Sequence, residues 1–101
     1  MQSTIQSINL IATDPAIRNG RPCIAGTSIE VSVVAVAKIV HGLEPDEIAN
    51  DYELSLAQVY AALAYYYENK QSIDATLSKR RELAQKMKEE RVGSRHPSLF
   101  G

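Results

Sequence analysis

Two helix-start signals lie ten residues apart in the middle of the chain, and they constrain the fold more than any other feature of the sequence. Pro45 is a favourable first helical residue, and the two acids that follow it suit the first turn of a helix. We expect this short helix to stop near Tyr52. Ser55 is then a good N-cap for a longer helix over residues 56–69. A short helix, a tight turn and a longer helix predict a helix-turn-helix.

The longer helix of this pair is where a helix-turn-helix protein would read DNA bases. Its predicted inward stripe comprises Leu56, Val59, Tyr60, Leu63 and Tyr67. Its predicted outward positions are Ala57, Gln58, Ala61, Ala62, Tyr65 and Asn69. Gln58 can pair with adenine, but the first cation is Lys70, and DNA affinity rests mainly on cations that contact phosphate. We therefore expect DNA binding through Gln58 and Lys70 to be weak. Packing of Ala61, Ala62, Tyr65 and Tyr66 against a second copy is favoured instead.

A further helix is predicted ahead of this pair, over residues 31–40. Its six β-branched residues favour a strand by propensity. Four of its apolar residues nevertheless fit the i, i+3, i+4, i+7 spacing of a helix: Val33, Val36, Ala37 and Val40. Gly42 is a plausible C-cap. Because apolar residues lie nearly all round this segment, we expect burial on more than one side and a two-fold symmetric homodimer.

The last predicted helix, Ile73–Val92, is ended by Gly93. Its apolar stripe is thin and is broken by Arg80; the stripe consists of Ile73, Leu77, Ala84 and Met87. Such a helix is typical of a segment that docks on a partner chain. Residues 94–101 have no periodicity, so we expect a mobile tail. The predicted organisation is residues 1–70 for the helix-turn-helix domain with its N-terminal β element, and residues 71–101 for the C-terminal helix and tail.

The first thirty residues are predicted to form short extended pieces joined by tight turns. Asn19-Gly20 tolerates positive φ, and Pro22 cannot donate to a sheet. Ala25-Gly26-Thr27 lies between two short apolar segments and is typical of a small hairpin or bend. The residues predicted to have structural roles are Gly20, Pro22, Gly26, Thr27 and Gly42. The glycine spacing does not make a phosphate loop, because the required lysine is missing.

Charge is divided unevenly along the chain, although the net charge is only −1. Residues 1–69 carry three basic and eight acidic side chains, which give −5. Residues 70–101 carry eight basic and four acidic side chains, which give +4. An acidic body is unlike a domain with a basic DNA-binding face. The basic C-terminal segment is suited to an acidic partner.

Side chains for catalysis or cofactor binding are scarce. Cys23, His41 and His96 do not have the spacing of a zinc site, and no serine motif or carboxylate pair indicates hydrolysis. We therefore expect no enzymatic activity, metal, cofactor or small-molecule substrate. The longest apolar run, Val33–Ala37, is too short to cross a membrane, and a lone cysteine cannot form an internal disulfide. A cytoplasmic protein without membrane contact is expected.

The chain contains five stretches that share the signature of one family: Asp14–Ile29, Val40–Ile48, Asp51-Tyr52, Leu54–Leu56 and Val59–Tyr65. In their order and spacing they resemble the domain of unknown function 433 family, over about residues 8–70. Ser28 and Glu53 depart from the pattern, because arginine and proline are common at these positions. The resemblance implies a mainly α fold: a homeodomain-like helix-turn-helix bundle with a short N-terminal β element and a C-terminal helix.

The resemblance also implies a function. Many members look like antitoxins encoded beside a PIN-like nuclease, which a similar protein would bind and silence while repressing its own promoter. The residues predicted to contact the nuclease are Lys79, Arg80, Arg81, Met87, Arg91, Arg95, Leu99 and Phe100. We therefore expect a non-enzymatic, dimeric, antitoxin-like protein. The alternatives are a helix-turn-helix transcription regulator and a structural dimerisation module without a nucleic-acid role.

Overall fold

The computed structural model describes residues 2–100 of the chain and the side chains of residues 2–90. The chain divides into two compact units, Met1–Asn69 and Lys70–Gly101. The elements in chain order are β1 (Ile11–Ala12), a short 3₁₀ turn (Arg18–Gly20), β2 (Cys23–Ile24), α1 (Val31–Ile39), α2 (Pro45–Tyr52), α3 (Leu56–Glu68) and α4 (Lys70–Phe100). The prediction of a mainly helical chain with a short N-terminal β element and a C-terminal helix is confirmed.

The two strands form a small antiparallel sheet in which Ile11 lies opposite Ile24 and Ala12 lies opposite Cys23. After β2 the chain turns back within a few residues, and the Ile24 N–H donates to the Ile29 carbonyl at 2.9 Å. The Thr27 hydroxyl closes this turn, since it donates to the Ile24 carbonyl at 2.8 Å and accepts from the Ile29 N–H at 3.0 Å. The predicted bend around Thr27 is therefore confirmed.

The helical interpretation of residues 31–40 is also confirmed, against the strand propensity of their β-branched side chains. The buried residues of α1 are Val31, Val34, Ala35 and Ala37. Gly42 follows the helix with φ of +68°, a conformation that favours glycine. The Leu43 N–H then donates to the Ala37 carbonyl at 3.0 Å, which satisfies one of the last acceptors of the helix.

The pair α2 and α3 begins and ends as the sequence predicts. Reciprocal capping bonds fix both starts: the Glu44 N–H donates to the Glu47 carboxylate at 2.9 Å, and the Ser55 N–H donates to the Gln58 side-chain carbonyl at 2.8 Å. The turn between the helices depends on Glu53, whose φ of +55° is left-handed. Proline fixes φ near −65°, so this turn excludes the proline that is common in the family pattern.

The core of the first unit lies on α3, which contacts α1, α2 and both strands. Its buried residues, Val59, Ala62, Leu63 and Tyr66, follow the i, i+3, i+4, i+7 spacing. The predicted inward stripe is therefore wrong at Leu56, Tyr60 and Tyr67, which are 49%, 57% and 59% exposed, and the predicted outward position of Ala62 is wrong as well. The α3 helix is apolar on almost every side, so its hydrophobic periodicity fits two different stripes and does not show which of them is buried.

The second unit consists of α4, which is longer than the sequence predicts at both ends. It begins at Lys70 instead of Ile73, and it continues past Gly93. A single glycine costs a helix only about 1 kcal/mol relative to alanine, which does not by itself end it. The predicted mobility of residues 94–101 stays a prediction. In the described part of the chain, no helix combines the length and apolar character needed to cross a membrane.

Replacing Glu53 with glycine should stabilise the fold. A left-handed conformation costs a residue with a Cβ roughly 1–2 kcal/mol, and glycine avoids this cost while losing more chain entropy on folding. We therefore expect Glu53→Gly to raise the free energy of unfolding by about 0.5–1 kcal/mol, as measured by urea denaturation. Glu53→Ala is the matched control, since it removes the carboxylate and keeps the Cβ. A glycine variant no more stable than the alanine variant would contradict this account of the turn.

Candidate functional site

The exposed middle of α4 presents two apolar side chains next to cations. Leu83 and Met87 lie one helical turn apart and are 59% and 56% exposed. Lys79 and Arg80 lie on the same face, one turn before Leu83. We call these four residues the α4 surface. Leu83 was not among the predicted contact residues, although its i, i+4 spacing to Met87 can be read from the sequence.

Every described side chain from residue 78 to residue 90 is exposed, so this stretch of α4 makes no core of its own. It carries five cations against three acids: Lys79, Arg80, Arg81, Lys86 and Lys88, with Glu82, Glu89 and Glu90. Arg81 lies on the opposite side from Leu83, because residues two apart do not share a helix face. The other predicted contact residues, Arg91, Arg95, Leu99 and Phe100, have side chains outside the described residues.

The two residues predicted to contact DNA both have local partners. The Gln58 side-chain carbonyl accepts from Ser55, and the Gln58 N–H donates to the Ser55 hydroxyl at 3.1 Å, so Gln58 caps α3. Lys70 Nζ lies 2.7 Å from Asp74 Oδ2 in an exposed i, i+4 pair. Such pairs contribute about 0.3–0.5 kcal/mol and open easily. Between residues 56 and 68, α3 carries no cation for a phosphate.

A part-buried ion pair connects the turn after β1 to the start of α1. Arg21 Nε donates to Glu30 Oε1 at 2.8 Å, and Arg21 Nη2 lies 3.5 Å from Glu30 Oε2. Among the described residues, Glu30 is the one charged residue that is buried. Next to this pair, the Val31 N–H donates to the Pro22 carbonyl at 2.9 Å. No local pattern marks this contact in the sequence, since the two charged residues lie nine positions apart.

A left-handed turn precedes the ion pair in the chain. The turn is formed by Arg18, Asn19 and Gly20, whose φ angles are +51°, +55° and +80°. Arg18 Nε donates to the Ser28 carbonyl at 3.1 Å, which ties this turn to the loop after β2. Positive φ is strained for arginine and common for asparagine and glycine. The predicted role of the Asn19-Gly20 pair in a tight turn is therefore confirmed.

Cys23 lies beside these charges and does not have the character of a nucleophile. Burial raises the pKa of its thiol, and the nearby Glu30 raises it further, while Arg18 and Arg21 act in the opposite direction. The thiol hydrogen points toward the Arg21 carbonyl, 3.4 Å from the sulfur. A reactive cysteine needs a lowered pKa and access to solvent, and Cys23 has neither.

A small open cleft of about 190 Å³ lies beside the β element. Its lining residues are Ala12, Thr13, Asp14, Ile17, Cys23, Ile24, Ala25, Gly26 and Thr27. The Asp14 carboxylate accepts from the Ala16 N–H at 2.8 Å, and the Thr27 hydroxyl closes its own turn, so their bonds are local. The cleft is smaller than the ~300–1,000 Å³ of typical ligand sites. Across the described residues, no three His, Cys, Asp or Glu side chains form a metal-binding group.

Comparison with known proteins gives one match. The model of the family described as "Protein of unknown function (DUF433)" matches residues 11–66, which extend from β1 to near the end of α3. No curated protein and no solved structure gives a match. The α4 surface lies outside the matched region.

Removing Arg21 should destabilise the protein more than removing Glu30. The Arg21 side chain is 30% exposed and can be hydrated without its partner, whereas the Glu30 side chain is only 7% exposed. We expect Arg21→Met to lower the free energy of unfolding by about 3 kcal/mol and Glu30→Gln to lower it by about half as much. Urea denaturation of both variants at neutral pH measures the difference. An equal or larger loss for Glu30→Gln would contradict the asymmetry.

Proposed function

The chain belongs to the DUF433 family of proteins of unknown function, and we propose that it is an antitoxin-like binding protein that neutralises a PIN-like nuclease. The exposed α4 surface is the observation that carries this proposal. The protein acts by binding and catalyses no reaction. Both proteins then function in the cytoplasm.

The α4 surface supports the proposal through its combination of apolar and basic side chains. An amphipathic helix binds a partner by placing a few apolar anchors in a groove, and Leu83 and Met87 have the i, i+4 spacing of such anchors. Nuclease active sites of the metal-dependent kind are rich in carboxylates, which attract the flanking Lys79 and Arg80. The side chains of residues 78–90 are all exposed, so their burial against a partner can contribute to the free energy of binding.

The transcription-regulator alternative has less support. A specific DNA reader needs cations at phosphates as well as polar side chains at base edges. The described α3 carries no cation, and the Gln58 side-chain carbonyl is engaged in capping the helix. Autoregulatory DNA binding, if it accompanies nuclease neutralisation, then depends on the basic residues of α4 and falls steeply with salt.

Leu83→Asp should abolish neutralisation, because it places a charge at the centre of the apolar contact and beside the nuclease carboxylates. Loss of a central anchor costs about 2 kcal/mol or more, so we expect at least a ~30-fold weaker inhibition constant. The measurement is a titration of RNA cleavage by the PIN-like nuclease encoded beside this gene. Ser78→Asp is the matched control, since it adds the same charge to the opposite side of α4 at an exposed position.

The control should inhibit within about threefold of the wild type, because rim charges contribute little. Both variants must also retain the wild-type helix content by circular dichroism. Equal loss in the two variants would show that charge alone matters, and full inhibition by Leu83→Asp would exclude the α4 surface as the binding site. Binding of the free protein to its own promoter, abolished by Gln58→Ala, would favour the transcription regulator instead.

A further inference from the structure

An exposed side of α3, adjoining its buried stripe, is lined by apolar residues. It comprises Leu56, Ala57, Tyr60, Ala64 and Tyr67, all of which are exposed. At 100° per residue these five positions span about a quarter to a third of the helix circumference. We call them the outer face of α3. The Tyr67 ring packs edge-on against the buried Tyr66, with 5.3 Å between ring centroids, so part of this face is held in place by the core.

A helix with a second, exposed apolar stripe beside its buried one is typical of a helix that is covered on both stripes. The inward stripe of α3 is buried by α1, α2 and the strands. The outer face, in contrast, carries three large apolar residues that are exposed: Leu56, Tyr60 and Tyr67. Contiguous exposed apolar side chains of this kind mark interaction sites. The sequence analysis expected such a face, but assigned it to Ala61, Ala62, Tyr65 and Tyr66, two of which are core residues.

The distribution of charge on the first unit indicates which partner can bind to this face. The first unit carries −5 over residues 1–69, so two copies repel each other over most of its surface. Along α3 the single charged residue is Glu68, at the C-terminal end. Two copies can therefore meet through the outer face without bringing like charges together. A nucleic acid gains nothing there, because the face has no cation, and a carboxylate-rich protein is attracted to α4 instead.

We propose that the outer face of α3 packs against the same face of a second copy and forms a two-fold symmetric dimer. An antiparallel arrangement brings Tyr60 of each copy against the small Ala64 of the other, so that large and small side chains alternate across the contact. The same contact covers the helix that a helix-turn-helix protein would insert into a DNA groove. Dimerisation through this face and base reading by α3 are then mutually exclusive.

Sedimentation equilibrium of the full chain at tens of micromolar tests the proposal, with Tyr60→Lys and the control Asn50→Lys. Both variants add one positive charge at an exposed position, but Asn50 lies on α2, outside the outer face. The expected masses are two chains for the wild type and Asn50→Lys, and one chain for Tyr60→Lys with unchanged helix content. Because Tyr60 and its symmetry mate lie close to the two-fold axis, mixing Tyr60→Lys with Tyr60→Asp should restore the two-chain mass.

A wild-type monomer, or a Tyr60→Lys variant that keeps the two-chain mass, would overturn the proposal. Should Tyr60→Lys lose helix content, Ala64→Lys supplies the same test at the neighbouring exposed position. The proposal does not rest on nuclease binding, which involves α4. Loss of dimerisation with intact nuclease inhibition would therefore refute this inference alone, and a dimer without inhibition would refute only the proposed function.

Discussion

The burial of one stripe of α3 is the interaction on which the first unit depends. Val59, Ala62, Leu63 and Tyr66 form the buried stripe of the helix that contacts α1, α2 and both strands. Two strands of two residues each are not stable alone and need a helix to pack on. The small β element thus keeps its shape because α3 covers it, and the Arg21–Glu30 pair adds a polar connection from that element to α1.

The two surfaces proposed for binding lie in different units. The first unit uses the inward side of α3 for its core and leaves an uncharged outer face, which we propose packs against a second copy. Residues 78–90 of α4 are all exposed, carry more cations than acids, and present Leu83 and Met87 to solvent. An uncharged apolar face and a basic amphipathic helix suit partners of different chemistry, so the two proposals concern different kinds of partner.

Local signals made the helical part of the fold predictable, whereas the burial pattern was not. Pro45, Ser55 and Gly42 mark helix ends by bonds within a few residues, so they can be read directly from the sequence. The buried side of α3 depends on tertiary packing, and its nearly uniform apolar surface does not distinguish Tyr60 from Tyr66. The Arg21–Glu30 contact was unreadable for a related reason, because nothing local joins a turn residue to a helix start nine positions later. At the candidate site, the basic residues were recognised and Leu83 was not.

Hydrogen exchange of the full chain, alone and with the proposed PIN-like nuclease partner, tests most directly the proposal that α4 binds the nuclease and α3 does not. The account predicts that amides of residues 78–90 exchange fast in the free protein, because nothing buries them, and slow down in the complex. Amides of α3 should be protected to the same degree in both states. Protection that appears on α3 upon nuclease binding, while residues 78–90 remain unchanged, would contradict the account.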